Sequence, residues 1–125
     1  MSIDCTSEEY KCLMNDANCP VKYGNFTYRN AEAAWLAQRS LYEHEKKKFS
    51  YMSAEEAEKF SKTIDARSDW HKIKYSILVE ILLAKFTRNV KCRKVLLSTG
   101  MDRLVTTVKG YDMVGRALME VRGLL

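Results

Sequence analysis

The stretch from Ser68 to Asn89 constrains the fold more than any other part of the chain. Trp70, Ile73, Ile77, Leu78, Ile81, Leu82 and Phe86 recur at the α-helical period, and Asp69 stands in the first turn, where a carboxylate complements the positive helix end. Near Ile81 apolar side chains cover most of the circumference. A helix of that kind must be enclosed, so the spacing predicts a central helix around which the other elements pack. With only five Gly and one Pro in 125 residues, obligate turns are few. The expected class is mainly α, a single compact domain over residues 1–125 with about five helices and a small N-terminal β-hairpin.

The other elements follow from local signals. Thr6 or Ser7 before Glu8 and Glu9 opens a short helix through Leu13, and Asn15 to Pro20 reads as a loop. Val21, Tyr23, Phe26 and Tyr28 around Gly24-Asn25 form the hairpin. Asn30 is a good N-cap for a helix whose stripe is Ala31, Ala34, Trp35, Leu41 and Tyr42, after which Lys46-Lys47-Lys48 marks an exposed link. Ser53-Ala54-Glu55-Glu56 has the form of a capping box and starts a helix to about Ile64, with Phe60 and Ile64 inward. Val90 to Ser98 predicts a shorter helix stopped at Gly100. Tyr111 to Arg122 predicts the last, with Val114, Leu118 and Val121 inward.

Charge is unevenly spread. The formal net charge is +5, but Met1 to Ala84 carries twelve Lys and Arg against thirteen Asp and Glu, whereas Lys85 to Leu125 carries nine against three. The excess in the last third fits an anionic partner (nucleic acid, a phosphorylated small molecule or an acidic protein) or simply solvated helix faces. The longest apolar run, Ile81 to Ala84, is interrupted by Lys85, and Met1-Ser2-Ile3-Asp4 lacks the features of a leader; no membrane role is expected, and the expected setting is cytoplasmic. Cys5, Cys12 and Cys19 fall seven apart with Cys92 distant, and His44 and His71 are isolated, so no metal-ligand spacing exists and the thiols are read as reduced. Pro20, Asn15, Asp16 and Asn18 argue against one helix aligning the three sulfurs, which makes the spacing a coincidence.

Neither a Ser/His/Asp arrangement nor a Gly-rich phosphate loop is present, and no cofactor is implied. Glu32, in the first turn of the helix after the hairpin, has two readings. It complements the helix N-terminus, or, half desolvated at the core's edge, it acts as a base. Trp35 and Trp70 read as core rather than stacking platforms, by their helical phase.

A set of segments in order narrows the choice. Leu13-Met14-Asn15-Asp16, Cys19-Pro20-Val21 and Tyr28-Arg29-Asn30-Ala31-Glu32-Ala33-Ala34-Trp35 resemble the opening of the NADAR family, an N-glycosidase fold associated with NAD and ADP-ribose. Arg67-Ser68-Asp69-Trp70 with Ile73-Lys74, Ala84-Lys85-Phe86, Leu96-Leu97-Ser98-Thr99-Gly100, and Gly115 to Arg122 resemble its later segments. Each segment is weak; their order is specific. The resemblance implies a mainly helical fold that cleaves N-glycosidic bonds to ribose, in a phosphorylated ribosyl small molecule or in ADP-ribosylated nucleic acid. It also implies Glu32 as the active-site glutamate, a carboxylate that stabilises a cation on the sugar and orients water. Asn15 would offer its amide to ribose or base. Arg67 would hold a phosphate by a forked pair of hydrogen bonds or else pair with Asp69, and Lys74 would face the site or solvent. Asp112 takes the place of the family's asparagine.

Three departures matter. Only Met101 to Lys109 connects Gly100 to Gly110, where the family carries a longer Trp-Gly loop, and Ala33 and Leu36 replace the family's His and Gln. A more open site follows, with weaker water exclusion. The alternative function is therefore a module that binds ADP-ribose or a related nucleotide without chemistry. A third, a nucleic-acid binder using the Lys85 to Arg122 charge, predicts affinity that falls steeply with salt.

Overall fold

A computed structural model describes all 125 residues. The periodic segment is helical from Trp70 to Arg88, and on either side of it lie helices Ala31–Ala37, Glu43–Phe49, Ala54–Ser61, Val90–Ser98 and Met113–Leu124. In chain order these are α1 (Ala31–Ala37), α2 (Glu43–Phe49), α3 (Ala54–Ser61), α4 (Trp70–Arg88), α5 (Val90–Ser98) and α6 (Met113–Leu124). A 3₁₀ helix covers Glu8–Leu13. Helix α4 is central, packing on α1, α5, α6 and the hairpin, and Leu78, Ile81, Leu82 and Phe86 are fully enclosed in the core. Apolar burial on several sides of one helix is what the sequence pattern required. Trp70 is buried and stacks at 5.5 Å on Trp35, whose indole N–H donates to the Lys74 carbonyl at 2.9 Å, so both indoles are core.

The strands are short: β1 (Ser2–Asp4), β2 (Val21–Tyr23), β3 (Phe26–Tyr28) and β4 (Arg103–Val105). Antiparallel β2 and β3 form the expected hairpin, with Val21 opposite Tyr28 and Gly24 at φ 61° in the turn, a conformation open to glycine. The parallel pair β1–β4, joining Ile3 to Leu104 across almost the whole chain, has no signal in three-residue segments. It brings the loop after β4 beside the chain's start. Gly115 is needed here, because a Cβ at that position would lie 2.6 Å from the Leu104 carbonyl oxygen.

The expectation of about five helices needs correction on the far side of α1. The Ala31 stripe does not run on to Tyr42: α1 ends at Ala37, and Leu41 and Tyr42 are exposed. Three bonds, one of them long-range, end it. Gln38 folds its amide back onto the Ala34 carbonyl at 2.9 Å, Arg39 gives its carbonyl to the Arg67 N–H at 2.8 Å, and the Ser40 hydroxyl accepts from the Tyr42 N–H at 3.0 Å. Lys46-Lys47-Lys48 is not a link but the last turn of α2, opposite Glu43 and Glu45 in its first turn, a charge order that suits the helix dipole. Phe49 behind it is buried against Phe60 at 5.1 Å.

The capping box at Ser53 is present, with Ser53 and Glu56 bonding reciprocally at 3.2 and 2.9 Å. Helix α3 stops at Ser61, and its buried residues are Ala57 and Ser61, with Phe60 and Ile64 half-buried. Small residues on that face let α3 lie close against α1.

Candidate functional site

The loop that follows the 3₁₀ helix is fastened from both sides. The Glu32 backbone N–H at the start of α1 donates to the Asn15 carbonyl at 3.0 Å, and the Lys85 ammonium donates to the Met14 carbonyl at 2.9 Å. Lys85 is wholly buried, with its charge 5.2 Å from the Phe86 ring centre. Burial pushes its pKa down, while the neighbouring thiols of Cys19, Cys92 and Cys12 oppose that shift. The largest positive excess along the sequence thus begins with a lysine that is no part of the surface.

Three of the four cysteines, Cys12, Cys19 and Cys92, meet around this anchor. The Cys19 and Cys92 sulfurs lie 3.9 Å apart, and burial raises the Cys19 thiol to about 11 and the Cys12 thiol to about 12. Such thiols are protonated and unreactive at neutral pH. Nowhere do three His, Cys, Asp or Glu side chains form a group fit to hold a metal ion.

Above the fastened loop lies a cleft of about 320 Å³. Its floor is Met14, Asn15 and Asp16 from the loop and Glu32 from α1; one wall is Ala54, Glu55 and Glu58 from α3, and Thr106 and Val114 close the other side. Four of these nine residues are carboxylates and none is basic. Asn15 is only 7% exposed, and apart from the Glu32 carboxyl beside it neither its amide nitrogen nor its oxygen has a hydrogen-bond partner. A buried amide left unpaired in this way costs about 1–3 kcal/mol.

Glu32 has the most perturbed carboxyl of the site. Burial first, then the Glu58 carboxylate within hydrogen-bonding reach and the Asp16 charge, raise its pKa to about 7, while the nearby Asn15 amide works the other way. Asn15 and Glu32, named from sequence, therefore share one cleft. Arg67, Lys74 and Asp112 do not line it.

The other three have other partners. Arg67 forks onto Asp69, Nε at 2.6 Å and Nη2 at 3.1 Å, beside the start of α4. Lys74, half-buried on α4, gives its backbone carbonyl to Trp35. Asp112 is the N-cap of α6: its carboxylate accepts from the Gly115 N–H at 2.8 Å and from the Thr106 N–H and hydroxyl at 2.7 and 2.6 Å. Through Thr106 it shapes the cleft wall. Burial alone would raise its pKa, but these bonds outweigh burial and hold it below the usual carboxylate value.

Sequence reasoning missed Glu58 and Thr106. The capping box sets Ala54, Glu55 and Glu58 at helical neighbour spacing, but nothing local says that this side faces α1. Thr106 is placed by the long-range β1–β4 pairing just before it and by its bonds to Asp112.

The helical domain thus sets a buried amide and a glutamate of raised pKa side by side in one cleft. The fold agrees with a solved structure, the NMR structure of the Escherichia coli protein YbiA: TM-score 0.84 at 24% identity, over 99% of this chain and 83% of that one. The chain belongs to the NADAR family, whose domain model matches residues 2–109. Its curated relatives include the N-glycosidase YbiA of Shigella boydii and that of Escherichia coli K12, each 28% identical over 134 aligned positions covering 94% of this chain and 82% of the relative. No helix is long and apolar enough to cross a membrane.

Proposed function

We propose that the protein is an N-glycosidase that hydrolyses the N-ribosidic bond of an ADP-ribosylated or phosphoribosylated compound, such as ADP-ribosyl-guanine in nucleic acid. The observation that carries this reading is the unpartnered, buried Asn15 amide beside Glu32 in a cleft. A ribosyl–nitrogen junction offers hydroxyls and ring atoms that pair with an amide able both to donate and to accept. Cleavage builds positive charge at the anomeric carbon, which carboxyl groups stabilise. The acidic lining repels phosphate, so the ribose and its nitrogen enter while the phosphate groups stay outside. The N-glycosidase relatives support the same reaction type.

The test is incubation with DNA carrying ADP-ribosylated guanosine and, separately, with ADP-ribose, comparing the parent with Glu32→Ala and following released base by chromatography. Turnover in the parent that is lost in the variant is expected. Saturable binding of ADP-ribose with no turnover would replace this reading with that of a binding module, which the shortened Met101 to Lys109 connection favours.

A further inference from the structure

Beside Glu32 the cleft holds a second carboxyl on the facing helix, Glu58. We propose that Glu58 divides the chemistry with Glu32: the more enclosed Glu32 serves as the acid for the departing nitrogen, while the exposed Glu58 on the facing helix stands against the developing cation. This rests on the N-glycosidase reading.

Glu58 is carried by α3, whose start is fixed by the Ser53–Glu56 capping box, and it faces Glu32 across the α1–α3 contact. Both carboxyls line the same small cleft, and Glu58 is among the groups that raise the Glu32 pKa. Two negative charges confined together are mutually unfavourable, and the proton goes to the side chain for which ionisation is harder. That is Glu32, enclosed among Asn15, α1 and α3, whereas Glu58 is exposed. The other charged groups around Glu32 reinforce the choice. Asp16 from the loop raises the Glu32 pKa further, and Glu55 from α3 is engaged by Lys59 at 3.4 Å. Thr106 and Val114, from the opposite wall, do not titrate, and no cation lines the cleft. The unpartnered Asn15 amide marks the same place as a ligand site.

In the reaction the C1′–N bond breaks with its electron pair going to nitrogen, which takes the proton from Glu32. The Glu58 carboxylate faces the ring cation. Water then adds at C1′ and gives a proton back to Glu32, so one water is consumed and both carboxyls return to their starting states. Two carboxyls whose environments separate their proton affinities are a general way to run acid and charge-stabilising roles side by side.

The test is a pH titration of the full chain carrying ¹³C-carboxyl-labelled glutamate, with Glu32→Gln identifying the Glu32 resonance. The expected midpoint for Glu32 is near 7 in the parent. In Glu58→Gln its proton affinity should fall about tenfold or more, a shift of one pH unit. The exposed Glu58→Ala variant should show the same fall. An ordinary carboxylate midpoint in the parent, or an unchanged one in both variants, overturns the proposal. In turnover assays the alkaline limb of the kcat profile should move to lower pH in Glu58→Gln, and an unmoved limb also overturns it. Failure of the N-glycosidase reading shows separately, as no turnover by a parent whose Glu32 still titrates near 7.

Discussion

The Glu32 backbone N–H donates to the Asn15 carbonyl oxygen at 3.0 Å, which joins by main chain the two residues whose side chains meet in the cleft. Because this bond uses only backbone atoms, the Asn15 side chain is free to be unsatisfied without loosening the loop. Replacing Asn15 with leucine removes two orphaned polar atoms and keeps the volume. The expected result is a gain of about 1 kcal/mol in urea unfolding at pH 5, with binding of ADP-ribose lost. A clear loss of stability would show that the amide is satisfied in the folded protein.

Glu32 makes stability depend on pH in an unusual direction. Its folded pKa is raised from 4.5 to about 7, so the folded state binds this proton more tightly than the unfolded state does. Stability from this group is full below pH 4.5 and declines as pH rises to 7, the total being roughly 3 kcal/mol. Glu32→Gln cannot ionise and should escape the decline. Urea midpoints of parent and variant should be close at pH 4.5 and separate in the variant's favour at pH 8; equal midpoints at pH 8 would contradict the buried, paired carboxyl.

Lys85 holds the cleft floor from below through the Met14 carbonyl. Lys85→Met fills the same space without a donor. The backbone of the Met14–Asp16 loop then loses a charge-assisted bond worth about 1.5–3 kcal/mol. Amide hydrogen exchange at Glu32, whose N–H closes onto this loop, should accelerate by about ten- to a hundredfold. Exchange at the parent's rate would mean that the loop is held without Lys85.

Asp112 ties the Thr106 side of the cleft to the start of α6 by accepting several N–H and O–H bonds. Asp112→Asn puts an amide NH₂ against one of those donors and should cost about 1–3 kcal/mol at pH 7. The folded pKa of Asp112 is depressed, so its contribution is present above the unfolded value of 3.8 and is lost as pH falls through the folded one. The gap between parent and variant should therefore narrow below pH 3.8. A gap of the same size at pH 3 would assign the cost to packing instead.

Much of this architecture was legible in local patterns. The central helix from Trp70, the hairpin around Gly24-Asn25, the capping box at Ser53 and the helix from Val90 to Ser98 all rest on spacing or on caps within a few residues. The misreadings came where distant groups competed for the backbone. Helix α1 ends early because Arg39 and Ser40 bond elsewhere, and α2 is helical although its lysine run looked like a link.

Ordered motifs in the sequence were enough to find the family to which the chain belongs, and they named Asn15 and Glu32, which the fold brings into one cleft. They were not enough to find Glu58 or Thr106, to choose between a phosphate and Asp69 as the partner of Arg67, or to see that Asp112 caps α6. Periodicity and capping are short-range consequences of backbone geometry, so a sequence determines them by itself. Which carboxyl faces which, how much water each retains and which proton it keeps depend on α3 lying against α1 and on β1 meeting β4. Only the tertiary structure decided these, because desolvation and charge coupling depend on distances in space rather than along the chain.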